Sequence, residues 1–184
     1  MWKEQLRGEL VFVIHDFLPS DECAEYIRLG ESIGFTDAPI TTSRGFEMHK
    51  DIRNNTRAVL DDRELAARLW ERAAQWFTPF RELPPIGLNE RFRFYRYEPG
   101  QRFAPHYDGA YERENGERSQ YSFLIYLNDD FVGGHTLFHG QRLDVNPKAG
   151  SVLAFHHPQL HEGAVLEEGI KYVLRSDVMY AARV

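Results

Sequence analysis

The sequence predicts an α+β protein in which a β-sandwich or jelly roll forms the second half and helices of the first half cover one face of its sheet. After residue 90, short apolar runs follow one another between turn residues, with no helical spacing among them. Residues 1–90 instead carry two stretches with apolar residues at helical spacing. No internal repeat divides the 184 residues. We therefore expect a single domain over 1–184, with a helical N-terminal part (1–90) and a jelly-roll core (91–184).

Two helices are predicted in the first half. Ser20 is a candidate N-cap for the first helix because two acidic residues follow it, and Gly30 or Gly34 ends that helix. The second helix begins at Asp61-Asp62 and keeps its apolar spacing until Pro79. Each helix presents one apolar side, which predicts packing against a sheet.

The predicted strands are short runs of apolar or alternating residues bounded by turn chemistry such as Asn-Asp-Asp, Gly-Gly and Asn-Pro. One precedes the first helix, and the rest follow residue 90. These strands are Glu9–Ile14, Arg91–Tyr97, Tyr121–Leu127, His135–Phe138, Arg142–Val145, Ser151–Phe155 and Lys171–Tyr180.

Composition excludes several classes of protein. The single cysteine, Cys23, rules out an internal disulfide framework and a cysteine-rich zinc site. The longest early apolar run, Leu10–Ile14, has five residues, whereas a bilayer requires about 20. The net charge of −6 argues weakly against a nucleic-acid partner, which usually requires a basic face. We expect a soluble, cytoplasmic protein without a nucleic-acid or membrane partner; the sequence does not indicate its oligomeric state.

Histidines provide the first chemical signal, since six of the eight lie between residues 106 and 161. On a strand, His106 and Asp108 would project from the same face, as two members of a 2-His-1-carboxylate iron site do. A lone His-x-Asp pair is weak support, because it occurs by chance. His161 is the candidate third ligand: it follows an apolar strand and precedes a strand that begins with Lys171.

Seven motifs then occur in order. They are Tyr97-Glu-Pro-Gly100, His106-Tyr-Asp108, Tyr126-Leu-Asn128, Gly133-Gly-His-Thr136-Leu-Phe138, Pro147-Lys-Ala-Gly150, His161-Glu-Gly163 and Gly169-Ile-Lys171-Tyr172. Together they resemble the 2-oxoglutarate/Fe(II)-dependent dioxygenases, and more narrowly their prolyl 4-hydroxylase-like branch. The resemblance covers about residues 91–180 and extends loosely to the start of the first helix.

This resemblance implies a double-stranded β-helix, a cupin-like jelly roll that closes around a metal, with the N-terminal helices packed on one sheet. It implies Fe(II), 2-oxoglutarate as cosubstrate, O2, and ascorbate as a reductant. His106, Asp108 and His161 are similar to the family's iron ligands. Neutral imidazole and carboxylate suit Fe(II) and leave coordination positions open for oxygen chemistry.

Four residues are implied to contact 2-oxoglutarate. Lys171, ten residues beyond His161, matches the cation that pairs with the distal carboxylate, and Tyr126 matches a tyrosine that hydrogen-bonds it. Tyr97 matches one near the metal end. Arg175 shares a strand face with Lys171, so two interpretations stand: a second contact to the cosubstrate, or an ion pair with Asp177 or Glu168.

The expected activity is hydroxylation of an unactivated C–H bond in a peptidyl proline or in a free amino acid or other small molecule. On the substrate side, Arg53, Arg57 and Arg93 are candidates. The polar stretch Thr41–Arg57 lacks periodicity and is interpreted as a long loop. The charged segment Gly109–Gln120 is either a mobile lid or an ordinary hairpin loop.

A different function shares the same fold and ligands. In that alternative the protein is a cupin-like metal-binding protein, or a dioxygenase that does not use 2-oxoglutarate, and Lys171 is a structural cation. Replacing Lys171 separates the two, since only the first function requires it for cosubstrate binding.

Overall fold

Strands outnumber helices in the computed structural model, which describes residues 1–42, 44–140 and 142–183. The helices are α1 (Ser20–Ile33), α2 (Arg63–Ala73) and a 3-10 turn at Ala74–Trp76. The strands of the described chain are β1 (Trp2–Arg7), β2 (Val11–His15), β3 (Thr36–Asp37), β4 (Ile40–Thr42), β5 (Gly45–Glu47), β6 (Thr56–Asp61), β7 (Pro85–Leu88), β8 (Arg91–Tyr97), β9 (Phe103–His106), β10 (Arg118–Tyr126), β11 (Val132–Gly133), β12 (Thr136–Phe138), β13 (Leu143–Val145), β14 (Val152–His156), β15 (His161–Gly163), β16 (Leu166–Glu168) and β17 (Lys171–Tyr180).

A nine-stranded antiparallel sheet forms the frame, in the order β1-β2-β14-β10-β17-β8-β6-β3, with β7 paired to the C-terminal part of β17. A second antiparallel sheet has the order β13-β12-β15-β9. Aromatic and aliphatic side chains from both sheets, including Tyr126, Phe138 and Phe155, form one buried cluster between them. Two sheets packed face to face in this way form the predicted jelly roll.

The helices cover the other face of the large sheet. Alternation along β8 explains how one strand serves both sides: Phe92 and Phe94 belong to the helix-side core, whereas Tyr95 and Tyr97 belong to the core between the sheets. Asp62 caps α2 by accepting a hydrogen bond from the Leu65 amide. No helix of the described residues combines the length and apolar composition needed to cross a membrane.

The α1 cap differs from the prediction. The helix begins at Ser20, but Pro19 holds the N-cap position and no side chain caps it. At the other end Gly34, with φ +90°, is the C-cap, which settles the choice between the two glycines.

Two further predictions for the first half were incomplete. Residues 1–90 are not mainly helical, because β1, β2 and β6 are strands of the large sheet. The stretch Thr41–Arg57 is not a plain loop, because β4 and β5 pair as antiparallel strands, although Ser43 lies outside the described residues. β2 carries the predicted apolar run, but β1, β4, β5 and β6 have mostly polar or exposed sequences that conceal them, and pairing with a neighbour makes these strands extended.

Candidate metal site and the cleft beside it

Three side chains able to bind a metal converge where the small sheet meets the large one. His106 ends β9, His161 begins β15, and the two residues pair directly across the sheet. Asp108 lies two residues beyond the end of β9. The nearest ligand atoms of all three lie within 4.8 Å of one another. The shared face predicted for His106 and Asp108 assumed a strand through both residues; Asp108 lies just after β9, still beside His106.

The spacing of these atoms fits a single ion. His106 Nε2 is 3.6 Å from Asp108 Oδ1, and His161 Nε2 is 3.7 Å from Asp108 Oδ2. Two ligand atoms bound to one ion at about 2.1 Å each can be at most about 4.2 Å apart. Both measured distances satisfy that limit. Two imidazoles and one carboxylate are also the donor set of iron sites that keep open positions.

Hydrogen bonds fix both imidazoles with Nε2 toward the site. His106 Nδ1 lies 2.8 Å from the Ala104 carbonyl oxygen, and His161 Nδ1 lies 2.9 Å from that of Gln159. Because a carbonyl only accepts, Nδ1 carries the proton and Nε2 is free to bind metal. Burial lowers the pKa of His161 to about 4, which keeps this imidazole neutral at pH 7.

Asp108 is held by a guanidinium and a hydroxyl. Arg175 Nη1 lies 3.0 Å from Asp108 Oδ1, and the Ser122 hydroxyl donates to Oδ2. Burial alone would raise the pKa of Asp108, but the Arg175 charge and the two imidazoles hold it well below its usual range. The carboxylate is therefore ionised at neutral pH, as a metal ligand must be.

Arg175 is occupied by carboxylates of the protein itself. Besides Asp108, it contacts Asp177, whose Oδ1 lies 3.3 Å from Nη2. The Asp177 ion pair was one of the two interpretations of this residue, whereas the bond to Asp108 was not anticipated. Arg175 also lines the small cavity described next, and a contact to 2-oxoglutarate stays a prediction.

Lys171 lines a small cavity of about 40 Å³ that also reaches His106, Asp108 and His161. The side chain is buried, and Nζ donates a hydrogen bond to the Gly134 carbonyl. Within the described residues, no carboxylate lies within ion-pair distance of Nζ. Burial without a counter-ion lowers the pKa of Lys171 to about 7. A buried cation of this kind calls for an anionic ligand.

The two predicted tyrosines flank the Lys171 ammonium. Nζ lies 5.4 Å from the ring centroid of Tyr97 and 5.3 Å from that of Tyr126. The Tyr126 hydroxyl is 2.7 Å from Thr136 Oγ1, a neighbour that the sequence does not reveal. Burial raises the pKa of Tyr97 to about 12, so its phenol stays protonated and can donate.

A larger cleft of about 800 Å³ opens on the other side of His106 and Asp108. The three arginines predicted for the substrate side, Arg53, Arg57 and Arg93, all line it. The β4 and β5 strands supply one wall through Ile40 and Phe46. The structure therefore places the three arginines beside the triad and not at scattered surface positions.

The segment 109–120, predicted to be either a lid or a hairpin loop, is tied back to the protein. Arg113 forms ion pairs with Glu90 and Glu117, and residues 112 and 118 form an isolated antiparallel bridge. The Tyr111 amide also donates to Ser119 Oγ. These contacts favour the hairpin interpretation, with Tyr111 on the rim of the cleft.

Sequence reasoning missed a buried polar relay behind Asp108. Ser122 Oγ lies 3.1 Å from His157 Nδ1, and His157 Nε2 lies 2.9 Å from Ser119 Oγ. Burial lowers the pKa of His157 to about 4, so it is a neutral link in this relay. No motif marks these residues, because β10 meets the His156–Pro158 turn only in the folded chain. Only the position of Ser122, between Tyr121 and Phe123, hints at a buried hydroxyl.

We expect Ser122→Ala to weaken Fe(II) binding about 10- to 100-fold without unfolding the protein, because Asp108 Oδ2 loses the hydroxyl that orients it. Competition between the protein and a chromophoric chelator measures this affinity anaerobically. Ser151→Ala is a matched control, since it removes a buried hydroxyl that bonds only the Lys148 carbonyl. Equal iron affinities in the two variants would contradict the orienting role.

Comparison with known proteins gives a consistent result. Residues 92–176 match a family model described as the 2OG-Fe(II) oxygenase superfamily. A probable prolyl 4-hydroxylase 3 of Arabidopsis thaliana is 28% identical over 142 residues, 74% of this chain and 48% of the relative. A putative prolyl 4-hydroxylase of Acanthamoeba polyphaga mimivirus is 24% identical over 88% of this chain and 71% of the relative. The chain thus spans about half the length of the Arabidopsis relative.

Solved structures share the fold. A viral collagen prolyl hydroxylase from Paramecium bursaria Chlorella virus-1, in complex with 2OG, has a TM-score of 0.72 at 19% identity, covering 95% of this chain and 98% of the other. A Pseudomonas putida prolyl-4-hydroxylase has a TM-score of 0.67 at 22% identity, covering 97% and 96%. A Trichoplax adhaerens prolyl hydroxylase, in complex with a hypoxia inducible factor peptide fragment, has a TM-score of 0.70 at 18% identity, covering 95% and 85%.

Proposed function

We propose that this chain, whose residues 92–176 match the 2OG-Fe(II) oxygenase superfamily and which is similar to prolyl 4-hydroxylases, is an Fe(II)- and 2-oxoglutarate-dependent dioxygenase of the prolyl 4-hydroxylase-like branch that hydroxylates an unactivated C–H bond. Residues 1–184 would act as one catalytic domain. The observation that carries the proposal is the small cavity lined by both the metal-ligand triad and the buried Lys171, whose ammonium has no carboxylate within ion-pair distance among the described residues. A dicarboxylate that chelates a metal through one end and needs a cation at the other suits this arrangement.

We assign the ligands of Fe(II) to His106, Asp108 and His161, whose donor types and spacing fit one ion. When bound, iron and 2-oxoglutarate supply the oxidising chemistry, in which O2 converts the cosubstrate to succinate and CO2 and one oxygen atom enters the substrate. The protein's part is positional: the Ala104 and Gln159 carbonyls hold the imidazoles, and Ser122 holds the carboxylate.

We assign the distal carboxylate of 2-oxoglutarate to Lys171, with Tyr97 and Tyr126 beside it. An ion pair inside a dry cavity is strong because little solvent screens it, and it offsets the cost of burying both charges. Phe103 stacks on His106 at 3.5 Å between ring centroids, and Val173 lines the same cavity. These apolar groups exclude water from the reacting end.

The substrate class remains two-fold in this proposal: a peptidyl proline, as the relatives' names suggest, or a free amino acid or other small molecule. The open cleft of about 800 Å³ is large enough for either. We include ascorbate as the reductant that the family resemblance implies. The cupin-like alternative gains no support, because a structural role for Lys171 would leave its ammonium buried without a counter-ion.

Anaerobic addition of Fe(II) and 2-oxoglutarate is expected to produce a weak visible charge-transfer band, because the chelate forms only when both ligands share the site. Admitting air should then release succinate in proportion to the 2-oxoglutarate consumed. The His161→Ala variant serves as a negative control, since it lacks one metal ligand. Absence of both the band and succinate in the wild-type protein would rule out the proposed function.

A further inference from the structure

We propose that the cleft beside the triad binds a carboxylate of the substrate through Arg53 and Arg57, so that the preferred substrate is anionic. This inference rests on the proposed function and specifies its substrate class. The carboxylate can come from two sources, a free amino acid or an acidic residue next to the reacting residue of a peptide. The chemistry that recognises it is the same in both cases.

Arg53 is buried in the cleft wall, and one nitrogen of its guanidinium has no hydrogen-bond partner. Its guanidinium carbon lies 4.4 Å from the ring centroids of both Tyr95 and Phe103, so the side chain is clamped between two aromatic faces. Nε donates to Asn55 Oδ1 at 2.8 Å. The side chain is 4% exposed, and Nη2 is a buried donor without a hydrogen-bond partner. A buried guanidinium nitrogen without a partner is costly, and an arriving carboxylate would satisfy it.

Positive charge exceeds negative charge around this cleft. Five arginines line it, at positions 53, 57, 91, 93 and 175, against two aspartates, at 108 and 177. Arg175 pairs with both aspartates and Arg93 with Asp177, while Arg91 pairs with Asp61 on the neighbouring strand. Arg53 and Arg57 are left without a carboxylate within 4 Å among the residues that the structure describes.

The difference in pKa between two buried tyrosines, Tyr95 and Tyr97, reflects this excess of positive charge. Burial alone raises the pKa of a phenol, as it does for Tyr97. For Tyr95, equally buried, the charges of Arg175, Arg53 and Arg93 outweigh that effect and lower the pKa. The field of the cleft is therefore cationic at its inner wall, which favours an anion.

Stacking also brings Arg53 close to the reacting end. The guanidinium lies on Phe103, and the Phe103 ring in turn lies 3.5 Å from the ring of His106. One aromatic ring, that of Phe103, thus separates Arg53 from a metal ligand. A carboxylate bound there belongs to the reacting residue itself or to its immediate neighbour in sequence. A distant acidic segment of a peptide would not be recognised at this point.

Apolar residues also line the cleft and can accept the uncharged part of such a substrate. Phe46, on β5, is 70% exposed, and Arg57 lies over its ring at 5.5 Å. A compact aliphatic or pyrrolidine ring next to a carboxylate could contact Phe46 while the carboxylate meets the adjacent arginines. The cleft therefore combines one apolar contact with one anion-binding pair.

The test compares matched probes by calorimetric titration into protein loaded anaerobically with Fe(II) and saturating 2-oxoglutarate. One pair is L-proline and L-prolinamide; the other is a blocked Gly-Glu-Pro-Gly peptide and its Gln counterpart. We expect the carboxylate member of at least one pair to bind about tenfold more tightly. The pair that shows the preference identifies the source, free amino acid or acidic peptide.

Variants of the cleft arginines test whether Arg53 and Arg57 cause the preference for the carboxylate probe. Arg57→Gln, at a half-buried position, and Arg53→Gln should each reduce the preference to less than about twofold, while the Fe(II)–2-oxoglutarate band persists. Arg28→Gln, exposed on α1, is the matched control and should retain the preference. If Arg53→Gln fails to fold, Arg57→Gln decides alone. Equal affinities within both pairs, or a preference that survives in the folded variants, would overturn the inference. Absence of the band would instead refute the proposed function.

Discussion

Replacing Lys171 by Met is expected to raise the Kd for 2-oxoglutarate at least about a hundredfold while Fe(II) binding stays intact. The substitution keeps the apolar stem but leaves the distal carboxylate in a buried cavity without a cation, and an uncompensated buried charge costs about 3–5 kcal/mol. Titration of the charge-transfer band with 2-oxoglutarate measures this Kd. Lys148→Met, at an exposed lysine, is the control and should leave the Kd unchanged.

The same variant should be at least as stable as the wild type when 2-oxoglutarate is absent. Burial lowers the pKa of Lys171 to about 7 from the ordinary 10.5, so the folded state binds fewer protons than the unfolded state between these values. Wild-type stability relative to Lys171→Met should therefore rise as the pH increases from 7 to 10.5. Urea unfolding at several pH values measures the difference. A large loss of stability in Lys171→Met at pH 7 would indicate a structural cation, as the cupin-like alternative requires.

Cosubstrate affinity should follow the charge of the same ammonium. Because the distal carboxylate needs the protonated form, the affinity for 2-oxoglutarate should fall as the pH rises above about 7. Lys171→Arg should remove this decline, since a guanidinium stays charged throughout the range.

Replacing Asp108 by Ala is expected to abolish succinate formation and also to destabilise the fold by about 3 kcal/mol. The first effect follows from the loss of a proposed metal ligand. The second follows because Asp108 is the nearer counter-ion of the buried Arg175, and without it the guanidinium keeps only Asp177, which Arg93 also contacts. Succinate assays and urea unfolding of the metal-free protein measure the two effects separately.

A double variant distinguishes the two roles of Asp108, as a proposed metal ligand and as the counter-ion of Arg175. Asp108→Ala combined with Arg175→Met removes both charges, so stability should recover most of the loss while succinate formation stays absent. His161→Ala should also abolish succinate, but without the same charge-related cost, since its imidazole is neutral. A stable Asp108→Ala single variant would show that Arg175 does not depend on this carboxylate.

The elements of the core were largely predictable because their signals are local. Alternating apolar residues and flanking turns identified Arg91–Tyr97 and Lys171–Tyr180 with the bounds that the structure has. Asp62, followed by apolar residues at helical spacing, marked the start of α2. The short strands β9 and β15 were not predicted, since three or four residues carry too little periodicity. Pairing across the small sheet, and not local pattern, makes them strands.

The candidate site likewise has features that the sequence indicated and features that only the tertiary structure decided. The sequence by itself indicated the candidate ligands, Lys171 and the fold that would bring them together, because its ordered motifs resemble those of one family. Only the tertiary structure decided that Arg175 pairs with Asp108, that Ser122 orients the carboxylate, and that Arg53 lies between two aromatic rings. These contacts join residues 14 to 67 positions apart, or on separate strands. Their existence depends on sheet order and strand register, which arise from the packing of the whole chain and not from the composition of any one segment.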